Sequence, residues 1–278
     1  MSSMYGDLDR PPLNKAALRR ALITPGSLWT SLEVLSEAPS TNAVLTNLAA
    51  RDGESGRVVI AEHQTAGRGR LGRDWTAPAR SGVTLSALVR PHDVQVARWS
   101  WIPLLTGLAV AAALRAEAQV PAALKWPNDV MVDDRKLAGL LVERVENARH
   151  GPAAVIGIGL NVSLRADELP VPQATSLALA GAATTDRTVL ARAILRALEG
   201  LFTDWQRWGG DPQHGLQSAY VDACATLGRR VSVTMPGGET SEGEAVGIDT
   251  SGRLLVRTQQ RQVALGAGDV VHVAAQES

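Results

Sequence analysis

A single cysteine, Cys224, stands among 278 residues. An intramolecular disulfide is therefore excluded, and so is a metal centre built from cysteines. Its plainest role is a small buried apolar side chain. Charge of one sign is also missing. Lys plus Arg number 28 and Asp plus Glu 28, so the formal net charge is zero. Dedicated nucleic-acid binders are usually basic, and this balance argues against that class. No apolar signal core opens the chain. The longest apolar run, 104–114, is broken by Thr106 and falls short of the ~20 residues of a membrane span. Internal repeats and low-complexity linkers are absent. These absences predict a soluble, cytoplasmic protein. Aromatics make up only 4% of the chain, yet seven of them are tryptophan.

What is present reads as an α+β body followed by a small all-β unit. Residues 1–12 are polar, end in Pro11-Pro12, and are expected to be disordered or loosely attached. Asn14 can cap a helix over 15–22. Strands are expected at 32–35, 58–61 and 82–89, with a helix over 43–50 closed by a turn at Asp52-Gly53. A long Ala/Leu helix spans 99–118, with Trp99 and Trp101 in the core. Strands follow at 123–126, 136–145 and 153–162, the last two close enough for an antiparallel hairpin. Helices are expected over 188–208 and 215–225. Five short alternating runs then lie between 230 and 273, separated by Gly-containing turns, as in a small β-barrel. The expected domains are 1–226 and 227–278.

The stretch AEHQTAGRGRLGRDW, 61–75, contains a literal G-x-G-x-x-G. A dinucleotide fold needs a strand before those glycines and a helix opening from them. The strand is there. The helix is not: RDWTAPARS separates Gly72 from the next strand, Pro78 interrupts it, and a helical crossover needs at least ~10 residues. Without a helix N-terminus the turn cannot hold a pyrophosphate in that way. The loop carries cations instead, Arg68, Arg70 and Arg73, whose planar forks suit carboxylate or phosphate.

Four further segments stand out: Ser40-Thr41-Asn42, KWPND at 125–129, RKLAG at 135–139, and GIGLN at 157–161. Each alone has a plainer role as a helix cap, a turn, a strand-end lysine or close strand packing. In this order, with the Gly/Arg loop, they resemble the biotin–protein ligase family from about Ser40 to Val162. The resemblance implies a mixed, largely antiparallel sheet with flanking helices, like class II aminoacyl-tRNA synthetases, and a C-terminal SH3-like barrel. It implies a two-step reaction. Biotin and ATP give biotinyl-adenylate and pyrophosphate, and a lysine of a biotin carboxyl carrier domain then displaces AMP. Mg²⁺ is expected with the phosphates.

By similarity, Ser40, Thr41, Asn42, Gln64 and backbone groups near Arg68 and Gly69 bind the biotin ureido group. Gly139, Gly157 and Gly159 keep its channel open. Lys136 and Arg70 lie between biotin carboxylate and α-phosphate. Arg73, Lys125 and Asn128 are further nucleotide contacts, Trp75 matches the position that stacks on adenine, and Asn161 one that contacts the nucleotide. Asp129 either holds Mg²⁺ or takes a proton from the carrier lysine. Trp126 is core. Only 39 residues precede Ser40, without a helix-turn-helix, so ligase activity without DNA binding is expected, in a monomer or weak homodimer. The rivals are a lipoate or octanoate ligase of the same superfamily and a non-enzymatic binding module.

Overall fold

The structure, a computed structural model, describes residues 10–51 and 53–273. The expected turn at Asp52 and residues 1–9 lie outside them. Helices α1 (Lys15–Leu22), α2 (Thr41–Arg51), α3 (Ile102–Ala113), α4 (Arg187–Arg207) and α5 (Leu216–Ala223) flank a sheet of seven strands. These are β1 (Ser31–Leu35), β2 (Arg57–Ala61), β3 (Gly82–Val89), β4 (Ala123–Lys125), β5 (Asp129–Val132), β6 (Arg135–Val145) and β7 (Ala153–Asn161), in the order β1-β2-β3-β7-β6-β5-β4. Only β1 and β2 run parallel. A second, antiparallel sheet holds β8 (Arg230–Thr234), β9 (Thr240–Ile248), β10 (Leu254–Arg257), β11 (Gln262–Leu265) and β12 (Asp269–His272).

The side-chain alternation of strands divides the large sheet into two faces. Val58, Ile60, Val83, Leu85, Ile156 and Ile158 point into the main core beneath α1, α3 and α4. Their neighbours Val59, Leu88 and Val155 form a smaller cluster under α2 with Leu45 and Ala49. Helix α4 presents Leu190, Ile194, Leu198, Phe202 and Trp205 on one stripe, and Asp186 caps it by accepting from the amides of Thr188 and Val189 at 2.8 and 3.2 Å. Asn14 caps α1 as its position predicts, accepting from Ala17 N at 2.9 Å.

Four expectations need correction. Residues 10–12 are pinned rather than loose: Arg10 pairs with Glu168 and donates to Ser163 O at 3.0 Å, and Arg187 donates to Pro11 O at 2.5 Å. The long helix over 99–118 is three segments, a 3₁₀ run at Val96–Trp101, α3, and a π-helical turn at Leu114–Ala118. That run is long and apolar enough to cross a membrane by length and composition, which the shorter stretch 104–114, broken by Thr106, does not show. It is mostly buried and serves as the core helix. Strand β5 was not expected, because PND reads as a turn; the turn is real, and the strand begins at its last residue, Asp129.

Tryptophans dock the second sheet. Trp101 Nε1 donates to Thr250 O at 2.7 Å and Trp126 Nε1 to Gly252 O at 3.0 Å. Trp126 is 2% exposed, the core residue expected. The Trp126–Pro127 peptide is cis.

Candidate active site

Two cross-strand rows shape the face of the large sheet beyond the N-terminus of α2. One runs Thr84, Gly159, Gly139, Asp129, Lys125 from β3 to β4. The next runs Val59, Ser86, Gly157, Leu141. The glycines leave a trough between hydroxyl groups at one end and charges at the other. Protein side chains lie over it. A Cβ on Gly157 would sit 2.3 Å from Asn42 Oδ1, and one on Gly159 2.4 Å from Trp75 Cε2. Gly139 meets Trp75 and Lys136 at 3.0 and 3.2 Å in the same sense. No larger residue fits at Gly157 or Gly159 while Asn42 and Trp75 stay in place. A small cavity beside the indole is lined by Glu62, Gln64, Trp75, Thr84 and Leu160.

At the hydroxyl end, Ser40 takes the N-cap place of α2, accepting from Ala43 N at 3.4 Å. Gln64 Oε1 accepts from Thr41 N at 2.8 Å and lies 3.1 Å from Thr41 Oγ1. Ser86 Oγ bridges Thr41 Oγ1 at 2.7 Å and Asn42 Oδ1 at 2.5 Å. Asn42 Nδ2 donates to Glu143 Oε2 at 2.6 Å. Ser86 and Glu143 were not singled out in the sequence. Ser86 had a signal, since Thr84 and Ser86 put two hydroxyls on one face of an otherwise apolar strand. Glu143 had none.

The Gly/Arg loop is a short hairpin. Trp75 N donates to Gly67 O at 2.9 Å and Gly69 N to Arg73 O at 2.6 Å, with a 3₁₀ turn over Arg70–Gly72 at its tip. Leu71 adopts φ 55, ψ 35 there, a left-handed conformation that ends any helical continuation. The α-helix required by a dinucleotide fold is absent at this point. Arg68 is exposed, and its backbone pairs with that of Asp74 across the hairpin. Arg73 turns to the second sheet and pairs with Asp269 at 2.5 Å, rather than toward the trough.

Arg70 does point inward, donating from Nη1 to Asn128 Oδ1 at 2.8 Å, while Asn128 Nδ2 donates to Leu140 O at 3.0 Å. Lys136 Nζ lies 2.7 Å from Asp129 Oδ1. That distance makes an ion pair, but not in hydrogen-bond alignment, and the buried Oδ1 has no hydrogen-bonded partner among the described residues. Lys136 also sits 5.8 Å from the Trp75 ring centre. Burial pushes the Lys125 ammonium below its usual range, against the pull of Asp129 and with the push of Lys136. Burial does the same to the Arg70 guanidinium, opposed by Asp269 and Asp129. Partly desolvated cations are thus gathered around one carboxylate, an arrangement suited to anionic ligands. Asn161 is committed elsewhere: its Nδ2 donates to Thr175 O at 3.0 Å, which holds the segment 174–177 against β7. No group of three His, Cys, Asp or Glu side chains able to hold a metal occurs among the described residues.

Residues 34–161 match the model of the biotin/lipoate A/B protein ligase family, and 226–273 that of the biotin protein ligase C-terminal domain. A biotin–[acetyl-CoA-carboxylase] ligase of Mycobacterium tuberculosis is 44% identical over 268 residues, which cover 95% of this chain and 97% of that protein. The bifunctional ligase/repressor BirA of Bacillus spizizenii is 32% identical over 83% of this chain and 70% of its own length. The solved biotin protein ligase of Aquifex aeolicus in complex with biotin and ATP superimposes with a TM-score of 0.73 at 26% identity, covering 89% of this chain and all of that one.

Proposed function

The chain belongs to the biotin/lipoate A/B protein ligase family and is a biotin–protein ligase, and from that premise we propose how its residues divide the work. ATP and biotin are its substrates and a protein lysine is its acceptor. The acceptor we propose is the carrier domain of a biotin-dependent carboxylase, as the name of the mycobacterial relative implies.

The observation that carries the assignment is the gathering of Arg70, Lys125 and Lys136 around Asp129 at one end of a glycine-floored trough whose other end is lined with hydroxyls and amides. In the first step a biotin carboxylate oxygen bonds to the α-phosphorus and the bond to the bridging oxygen breaks, releasing pyrophosphate. Both reactants are anions. Each unit pair of like charges at ~4 Å costs about 4 kcal/mol at an effective dielectric near 20. Lys136 and Arg70 offset that repulsion, and their effect grows as charge builds on the phosphoryl oxygens. Thr41 and Gln64 hold the ureido group, with Ser40 and Asn42 shaping the helix end behind them. One face of the Trp75 indole rests on Gly139 and Gly159, and we assign the ring to stacking on a flat base such as adenine.

In the second step the carrier lysine nitrogen attacks the acyl carbon, the bond to AMP breaks, and the amine proton must leave. A free lysine has a pKa of about 10.4, so an acceptor is required. We assign that role to Asp129, whose buried Oδ1 has no hydrogen-bonded partner among the described residues. Magnesium fits only as a companion of the nucleotide: Asp129 would supply a single ligand and phosphate oxygens most of the rest.

We further propose that the protein works in the cytoplasm, where its one buried thiol, Cys224, suits a reducing medium. The test of the substrate is the mass of an acceptor carrier domain after reaction. A biotinyl increment is expected. An octanoyl or lipoyl increment would assign the chain to the other branch of its family, and no increment would favour a binding module.

A further inference from the structure

We infer that Glu143, on the C-terminal half of β6, is a positioning residue that keeps Thr41 and Gln64 as hydrogen-bond acceptors for ligand N–H groups. The inference rests on the assignment of Thr41 and Gln64 to the ureido group.

Asn42 Nδ2 lies 2.6 Å from Glu143 Oε2 and 3.3 Å from Leu141 O. A carboxylate and a carbonyl only accept, so Nδ2 must face them and Oδ1 must face Ser86. The chain of contacts then runs from Asn42 Oδ1 to Ser86 Oγ at 2.5 Å, to Thr41 Oγ1 at 2.7 Å, and to Gln64 Oε1 at 3.1 Å. Both end atoms only accept. Three contacts are therefore served by the two hydroxyl protons of Ser86 and Thr41. The shortest takes the Ser86 proton and the next takes that of Thr41. The longest is left without one, and Gln64 Oε1 is held by Thr41 N at 2.8 Å instead. Thr41 Oγ1 and Gln64 Oε1 keep lone pairs for an incoming N–H.

Turning the Asn42 amide over would reverse this order. Nδ2 would donate to Ser86, Ser86 to Thr41, and Thr41 to Gln64, which would fill both lone pairs of Gln64 Oε1 and one of the two on Thr41 Oγ1. Turned over, Asn42 Oδ1 would face the oxygens of Glu143 and Leu141. Ser86 and Asn42 are 0% and 5% exposed, so bulk water cannot set the order for them. Glu143 thus acts at the binding site through two residues that lie between.

Steady-state kinetics of Glu143→Ala, Glu143→Gln and Gln64→Ala with biotin, and with its cyclic-carbamate analogue in which one ureido N–H is replaced by oxygen, test this. Glu143→Ala should raise KM for biotin about tenfold, with KM for ATP and kcat within about twofold, the scale of one hydrogen bond. Its preference for biotin over the carbamate should shrink. Glu143→Gln, whose Oε1 still accepts from Asn42, should return both values toward wild type. Should the alanine variant not fold, Glu143→Val keeps a strand-forming residue and carries the same expectation. A biotin KM and preference unchanged in the Glu143 variants, alongside a raised KM in Gln64→Ala, would overturn the inference and leave the ureido assignment standing. No effect in Gln64→Ala would remove that assignment and the inference with it.

Discussion

Gly157 is the residue whose replacement separates packing from chemistry most simply. An added methyl would overlap Asn42 Oδ1 at 2.3 Å. Gly157→Ala is expected to lower stability by about 1–3 kcal/mol and to raise KM for biotin more than KM for ATP, measured by urea unfolding and initial rates. An unchanged biotin KM would detach Asn42 from the binding end. At this scale the sequence was readable in residue type but not in contact. Lys136 and Asp129 stand out because polar groups end or enter apolar strands, Thr41 because it opens a helix, and Gln64 only through the resemblance. That Gly157 makes room for Asn42 could not be read, because it depends on where α2 crosses β7. Glu143 was invisible for the same reason: its partner lies 101 positions away.

Among the elements, the hairpin of 67–75 and the N-terminal segment carry the predictions. Arg70 reaches from the hairpin tip to Asn128 on the loop before β5. Arg70→Gly should weaken retention of the acyl-adenylate, so that lysines of bystander proteins become biotinylated; labelling that stays on the carrier domain would remove the retention role. Arg187 on α4 and Glu62 beyond β2 form an ion pair at 2.6 Å with side chains 5% and 10% exposed. Glu62 also accepts from Leu13 N at 2.7 Å, which straps the N-terminal segment to the strand that leads into the site. Arg187→Met should cost about 3–5 kcal/mol in urea unfolding, since it leaves a buried carboxylate unpaired. A loss below 1 kcal/mol, the value of a surface pair, would contradict that. Most elements were legible because strand alternation, caps and glycine turns are local signals. The split of the 96–118 helix and the start of β5 were not, because packing against α4 and pairing with β6 decide them.

For the whole molecule, His272 reports how the second sheet meets the first. Its ring contacts Arg229 at 3.2 Å and Thr226 Oγ1 at 3.3 Å. Burial pushes its pKa from 6.5 to about 4, Lys125 and Arg229 push the same way, and Asp134 opposes them. Between those values the unfolded chain holds the proton and the folded chain does not, so stability should rise with pH across the window and fall as pH drops through it. His272→Gln should flatten the urea midpoint between pH 4 and 6.5; an equally steep profile would place the sensitivity elsewhere. Two sheets were legible from the change of texture after Leu227. Their shared core, sealed by Trp101 and Trp126, was not, because a tryptophan's partner is set by the docked arrangement. We propose that this assembly joins biotin to AMP through the cations around Asp129. Exchange of labelled pyrophosphate into ATP by the purified chain tests it directly. Exchange should require biotin and fall by about 10²–10³ in Lys136→Ala. Exchange that proceeds without biotin, or survives Lys136→Ala at a near wild-type rate, would contradict it.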